Sequence, residues 1–270
     1  MSEKEALSAL KQRQMVAWGS GDYAVIGTTL QITGELLAEA CDLTQDEKVL
    51  DVAAGNGNVT LAAARRGCVV TSTDYVPELL DRALERAQAE RLTVNFKVAD
   101  AEALPFPDNS FDAVVSTFGV MFTPNQETAA AELIRVCKSH GRIGLANWTP
   151  DGFIGKVFKL LGRYLPPPPG AKSPSLWGTE ARLRELFEPH AVDISIRRAV
   201  FNFRYRSPAH FIEVFRTWYG PIHKAFAALP PDQAESLNQD LTQLLIESNR
   251  AGTPTLIVPS DYLEVVIKKR

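Results

Sequence analysis

An aspartate closes an apolar run and stands directly before a glycine turn in Val49-Leu50-Asp51-Val52-Ala53-Ala54-Gly55-Asn56-Gly57-Asn58. Two further acids follow, Asp74 in Thr73-Asp74-Tyr75-Val76 and Asp100 in Val98-Ala99-Asp100-Ala101-Glu102. Glycines after a strand let a backbone approach a cofactor. In the dinucleotide fingerprint G-x-G-x-x-G, the turn amides face a pyrophosphate. Here Gly55 and Gly57 are in place, but Thr60 holds the third position.

The sign of Asp51 discriminates further. A carboxylate beside the turn repels a pyrophosphate by a few kcal/mol in a partly buried setting. It attracts a cation instead. S-adenosylmethionine carries a sulfonium and an α-ammonium and no phosphate, so it fits this turn better than a dinucleotide. Asp74 can accept hydrogen bonds from ribose hydroxyls. Asp100 can accept from an exocyclic adenine amine, with a neighbouring backbone amide on a ring nitrogen. Each acid also has a plainer reading: Asp51 as a helix-capping or turn acid, Asp74 as a cap before Pro77, Asp100 as a loop acid.

These residues need a scaffold that presents them together. Residues 1–45 read as helical, interrupted by Gly19, Ser20 and Gly21, with Ile32, Leu36, Leu37 and Ala40 on one helix face. Strands are expected over 48–52, 68–73, 93–98, 113–117 and 142–148. Helices are expected over about 59–66, with Gly67 as C-cap, from Pro77 to about Glu90, and over 128–137, closed near Gly141. Strands alternating with helices predict an α/β fold with a doubly wound, mostly parallel sheet of seven strands. Ligands of such sheets sit beyond the C-terminal strand ends, where the three acids fall.

The rhythm changes after Trp148. Pro166–Gly170 reads as a stiff polyproline-like loop. Residues 179–187 read as a short helix, and 192–198 and 199–205 as two strands joined in a hairpin. From Pro208 onward helices are expected. The division is an N-terminal helical cover over 1–45, a cofactor-binding core over 46–207, and a helical or lid elaboration of the same domain over 208–270.

Composition sets the outer bounds. The 270 residues are 45% hydrophobic and 23% charged, with a net charge of -3. That supports a large core and gives no reason to expect nucleic acid or an anionic membrane as partner. Cys41, Cys68 and Cys137 form no CxxC pair, so neither a disulfide framework nor a metal site is expected, and all three are expected to pack. The N-terminus lacks an apolar signal region, and no apolar run reaches the length of a membrane span. A soluble, cytoplasmic protein is expected, as monomer or homodimer.

Four segments in order resemble the motifs of class I S-adenosylmethionine-dependent methyltransferases. VLDVAAGNGNVTLAAARRG is similar to the first motif and TSTDYVPELLDRA to the second-strand motif. VADAEALPFPDNSFDAVVSTFGVMF is similar to the adenine-side segment and fourth strand, and AAAELIRVCKSHGRIGLANW to the fifth-strand motif. The small-molecule enzymes of the ubiquinone/menaquinone C-methyltransferase-like group are the nearest in pattern, over residues 45–150. The resemblance implies a Rossmann-like methyltransferase fold and S-adenosylmethionine as cofactor. It places Asp51, Ala53, Gly55 and Gly57 on the methionine side, and Asp74, Tyr75 and Val76 around ribose and adenine. Asp100, Ala101 and Glu102 face adenine, and Thr117 with Phe118 closes the pocket. A helix before strand one covers the cofactor in many relatives, which gives Tyr23, beside Trp18–Asp22, a place near the methionine moiety. Ala53 replaces the first motif glycine, and Ser139-His140 the usual proline-glycine.

The implied reaction is an in-line displacement of a methyl group onto an O, N, C or S nucleophile of a small organic acceptor. No dedicated base is needed if the acceptor ionises readily. The stripe Phe211, Phe215, Trp218, Tyr219 is core packing or an apolar wall over the acceptor. His223 follows it and is either a general base or a structural residue, while His140, His190 and His210 have weaker cases. A non-catalytic S-adenosylmethionine-binding regulator and a nicotinamide-dependent oxidoreductase are the alternative readings.

Overall fold

Lys48–Val52 is buried at every position after its first residue, so this strand needs helices on both faces, as a central parallel strand does. The computed structural model, which describes residues 3–168, 170–252 and 255–270, supplies them. The chain opens with α1 (Glu3–Trp18), α2 (Ala24–Gly27) and α3 (Gln31–Ala40). Then come β1 (Lys48–Val52), α4 (Asn58–Arg65), β2 (Val69–Asp74), α5 (Pro77–Ala89), β3 (Asn95–Val98), β4 (Phe111–Thr117), α6 (Gln126–Val136) and β5 (Cys137–Trp148). The later elements are α7 (Phe153–Tyr164), α8 (Glu180–Phe187), β6 (Ala191–Tyr205), α9 (Pro208–Trp218), α10 (Gly220–Ala228), α11 (Pro231–Ser248) and β7 (Leu256–Lys269).

Local chemistry sets the boundaries. Pro77 occupies the first turn of α5 and Pro208 that of α9, where a missing N–H breaks no helical bond. Asn125, Thr179 and Ser207 cap α6, α8 and α9 through their side-chain oxygens. Gly67, at φ +77°, follows α4 as expected.

The seven strands form one sheet in the order β3-β2-β1-β4-β5-β7-β6. β1 to β5 pair in parallel, and β7 runs antiparallel to both β5 and β6. The α/β sheet read from the alternation is therefore present. Strand order reverses between β1 and β4, and a crevice opens there beyond their C-terminal ends.

Three expectations are corrected. Residues 191–205 form one strand instead of a hairpin, because Arg197-Arg198-Ala199 holds no turn former. The stretch after Pro208 is helical only to Ser248; residues 256–269 are β7, wedged between β5 and β6. Its alternating burial places Leu256, Val258, Ser260 and Tyr262 inside. α6 ends at Val136, and Cys137 opens β5. The ladder then jumps from Phe111↔Cys137 to Ala113↔Arg142, so Lys138–Gly141 bulges, with His140 at φ +63°. Pro166–Pro168 run without regular structure, and Pro169 of that loop lies outside the described residues.

Among the described residues no helix is long and apolar enough to cross a membrane, and no side-chain group could hold a metal ion. The three cysteines are buried and unpaired, with burial pushing Cys41 up to about 12 and Cys137 up to about 11. β7 makes a direct test of the sheet. Ile267 is 2% exposed and pairs with both Ile143 and Ile194. Ile267→Ala should destabilise the protein by about 2–5 kcal/mol in urea unfolding; a loss within experimental error would place these residues outside the core.

Candidate functional site

Asp51, next to last in β1, is fully buried at 0% exposure. Its Oδ2 accepts from the backbone N–H of Thr60 at 3.0 Å and from the Thr60 hydroxyl at 2.5 Å. Thr60 lies in the first turn of α4, where helical N–H groups lack helical partners. The residue that breaks the glycine fingerprint is thus the partner of the acid. Ser72 of β2 adds its hydroxyl at 2.9 Å from that of Thr60. The second oxygen of Asp51, Oδ1, has no hydrogen-bond partner. Burial pushes its carboxyl up to about 7, against the pull of the Thr60 bonds and with a push from the Asp74 charge.

Asp74 braces the other side of the turn. Its Oδ2 accepts from Gly55 N–H and its Oδ1 from Val76 N–H, both at 2.9 Å. Burial pushes it up to about 6, although the amides of Val76, Gly55 and Tyr75 favour the ionised form. Between the two acids the backbone turns through Ala53 at φ +52°, Gly55 at +56° and Gly57 at +82°. Ala53 therefore takes a left-handed conformation that costs an alanine about 1–2 kcal/mol. Gly119, after β4, lies so close that a Cβ there would collide with the Ala53 carbonyl oxygen.

A cleft of about 780 Å³ opens above this turn. Of the residues singled out in the sequence, Tyr23, Ala53, Gly55, Asp74, Tyr75, Asp100, Ala101, Glu102, Thr117 and Phe118 line it. Asp51, Gly57 and Val76 do not; they lie beneath the lining and hold it. Asp51 holds the turn through Thr60 with one oxygen and keeps the other without a hydrogen bond.

Several further residues line the cleft. Lys11 of α1 reaches across to Asp100 at 2.7 Å and Glu102 at 2.6 Å. Burial opposes its charge, but the two carboxylates outweigh it and raise its pKa. Asp100 Oδ1 also accepts from Glu102 N–H at 2.9 Å. Trp18, Asn56, Leu79, Gly119 and Phe122 complete much of the wall. Asn56, Leu79, Gly119 and Phe122 fall inside the motif segments and Trp18 opens the break before Tyr23, whereas Lys11 lies outside them. Burial raises Tyr75, and the charges of Asp74, Asp100 and Glu102 raise it further, so its hydroxyl stays protonated.

His223 is corrected. It hydrogen-bonds the Arg216 carbonyl through Nδ1 at 3.0 Å and lines a shallow hollow between α9, α10 and α11, away from the cleft. Trp218 also leaves its expected stripe at 39% exposure, while Phe211, Phe215 and Tyr219 are buried.

Comparison with known proteins agrees with this geometry. Residues 50–145 match the family described as a methyltransferase domain. A demethylmenaquinone methyltransferase of Deinococcus radiodurans is 34% identical over 168 residues, spanning 59% of this chain and 70% of that protein. The chain belongs to the class I S-adenosylmethionine-dependent methyltransferases. An uncharacterized protein of Mycobacterium tuberculosis (strain H37Rv) is 41% identical over 251 residues, covering 91% of this chain and 90% of its own. Among solved structures, the YcgJ protein from Bacillus subtilis superposes with a TM-score of 0.58 at 20% identity, over 87% of this enzyme and 97% of that chain. At that identity the likeness shows the fold alone.

The raised acids give the enzyme a pH signature. A carboxyl whose folded pKa lies above its unfolded value stabilises the fold below the unfolded pKa, and this is lost as pH rises through the folded pKa. Asp51 and Asp74 follow this pattern, with folded values of about 7 and about 6. Ion-paired carboxylates such as Glu127, held down to about 2, and Glu47 shift oppositely and act at lower pH. Unfolding free energy should therefore fall from about pH 5 to 7, and Asp51→Asn should flatten that slope. An unchanged slope in the variant would remove Asp51 as its source.

Proposed function

We propose that the cleft above the glycine turn binds S-adenosylmethionine and that the enzyme methylates a small organic molecule. The observation that carries the assignment is the sign of the cleft. Asp74, Asp100 and Glu102 line it, while Lys11 is its one lining cation among the described residues. A pyrophosphate would meet an excess of carboxylates, whereas a cationic ligand is attracted. The unpartnered Asp51 Oδ1 beneath the turn adds a buried acceptor whose ionised form a nearby cation favours.

In this reading Gly55 and Ala53 let the backbone approach the methionine part, and Asp51 and Gly57 hold that turn. Asp74 accepts from ribose hydroxyls, with Val76 shaping the loop behind it. Asp100, Ala101, Glu102 and Tyr75 surround the adenine, and Thr117 and Phe118 close the far wall. Tyr23 lies over the turn, with its ring against Gly55. The cofactor supplies an electrophilic methyl group on sulfur. Aromatic faces from Trp18, Tyr23, Phe118 and Phe122 suit a positive sulfur. The cover over 1–45 encloses the cleft, and Lys11 ties it to the adenine side. The acceptor is an O, N, C or S nucleophile positioned in line, with orientation supplying much of the rate.

Titration calorimetry tests this reading. S-adenosylhomocysteine should bind in the micromolar range and NAD should not. Asp74→Ala and Gly55→Val should each weaken S-adenosylhomocysteine by about 100-fold or more, with the circular dichroism spectrum retained. NAD binding without S-adenosylhomocysteine binding would overturn the assignment.

A further inference from the structure

The acids around the glycine turn account for a cation, but the amino-acid end of S-adenosylmethionine is a zwitterion. Its carboxylate, brought near Asp51 and Asp74, needs a positive partner of its own. Among the described residues Lys11 is the one cation lining the cleft, and Asp100 and Glu102 hold it. The positive group must therefore stand behind the lining.

Arg86, in the last turn of α5, stands there. Its Nη1 donates to the Asn56 carbonyl oxygen at 2.7 Å and to Asn58 Oδ1 at 2.8 Å, and its Nη2 to Gln31 Oε1 at 3.2 Å. Asn56 and Asn58 both line the cleft and are buried. Asn58 is fixed from its other end, where Nδ2 donates to the Gly27 carbonyl oxygen at 2.8 Å. The guanidinium thus lies one residue behind the wall of the cleft.

All of these acceptors are neutral. Glu90, the carboxylate whose charge acts on Arg86, is taken by Arg65 through Nε at 2.6 Å and Nη2 at 2.7 Å. By contrast, Arg66, Arg142 and Arg182 each hold a carboxylate. Burial opposes the charge of Arg86, yet a guanidinium keeps its proton in proteins. A half-buried cation with neutral partners is a costly arrangement that an arriving anion relieves. Arg86 also serves the fold, because its bonds join α5 to the glycine turn, α4 and α3.

Resting on the cofactor assignment above, we infer that Arg86 is a positioning residue that supplies the positive field for the carboxylate of the cofactor's amino-acid end. Asp74 holds Gly55 and Arg86 holds Asn56, so opposite charges grip adjacent residues of one turn. A turn gripped in this way matches a zwitterion better than a ligand carrying a single charge. Arg86 touches the wall and not the cleft, so it acts through Asn56 and Asn58. The first turn of α4, which opens at Asn58, presents its positive end beside them.

Titration calorimetry on the full chain tests this with three ligands: S-adenosylhomocysteine, its decarboxylated analogue, which keeps the amine, and methylthioadenosine, which lacks both charges. The wild type should bind S-adenosylhomocysteine at least about tenfold tighter than the decarboxylated analogue. Arg86→Met, which keeps the length of the side chain, should remove that preference by weakening S-adenosylhomocysteine about tenfold or more. Methylthioadenosine should stay within about twofold of its wild-type affinity. Arg86→Lys, which keeps the charge, should restore most of the preference. Should Arg86→Met not fold, Arg86→Gln carries the same expectation. Three results would overturn the inference with the cofactor assignment intact: a wild type that binds the decarboxylated analogue as tightly, a preference that survives the loss of the charge, or an equal loss for all three ligands, which marks a structural tie alone. Failure of S-adenosylhomocysteine to bind the wild-type chain would reject the cofactor assignment instead.

Discussion

The buried carboxylate of Asp51 is the constraint on which the site depends. It stands next to last in β1, accepts two hydrogen bonds from Thr60 in the first turn of α4, and through Thr60 reaches Ser72 of β2. Thr73 of β2 returns the tie by donating its hydroxyl to the Asp51 carbonyl. Asp74 grips the same turn from the other side through Gly55. A backbone held in this way can carry Ala53 in a conformation an alanine avoids. The arrangement leaves two acids buried, where desolvation opposes their charge. In the reading proposed above, a cation arriving above the turn would relieve that opposition.

Much of this was legible in the sequence, and the exceptions have physical causes. The alternation up to Trp148 is strongly periodic, so the parallel part of the sheet could be read directly; of the ten lining residues, Gly55, Asp74 and Asp100 were legible from residue type and position, and the others came from the family resemblance. What could not be read was the partner of Asp51: only the packed turn shows that its Oδ2 takes the Thr60 amide and hydroxyl while its Oδ1 has no hydrogen bond. Lys11 was invisible because α1 carries no motif; the fold alone brings it to Asp100 and Glu102.

β7 was missed for another reason. Pro259, Ser260 and Asp261 interrupt its apolar run, and proline argues against a central strand. The structure resolves the conflict. β7 pairs with β5 only from Tyr262 onward, so Pro259 lies where β6 is its one neighbour. One side of the ladder needs no donor there. The aromatic stripe was partly legible: Phe211, Phe215 and Tyr219 are buried, but Trp218 is exposed and a break in the helix after it turns His223 aside.

The position of β7 bears on how the chain is made. β6 pairs with β7 along nearly its whole length and, among the described residues, with no other strand. It is synthesised first, and roughly fifty residues separate Tyr205 from Leu256. While the ribosome builds α9, α10 and α11, a fifteen-residue strand bearing Phe201 and Phe203 has no ladder partner. Such an edge invites pairing with other chains. Nascent molecules are therefore most prone to aggregate in this interval, and closure of the sheet waits on the segment made after α9, α10 and α11.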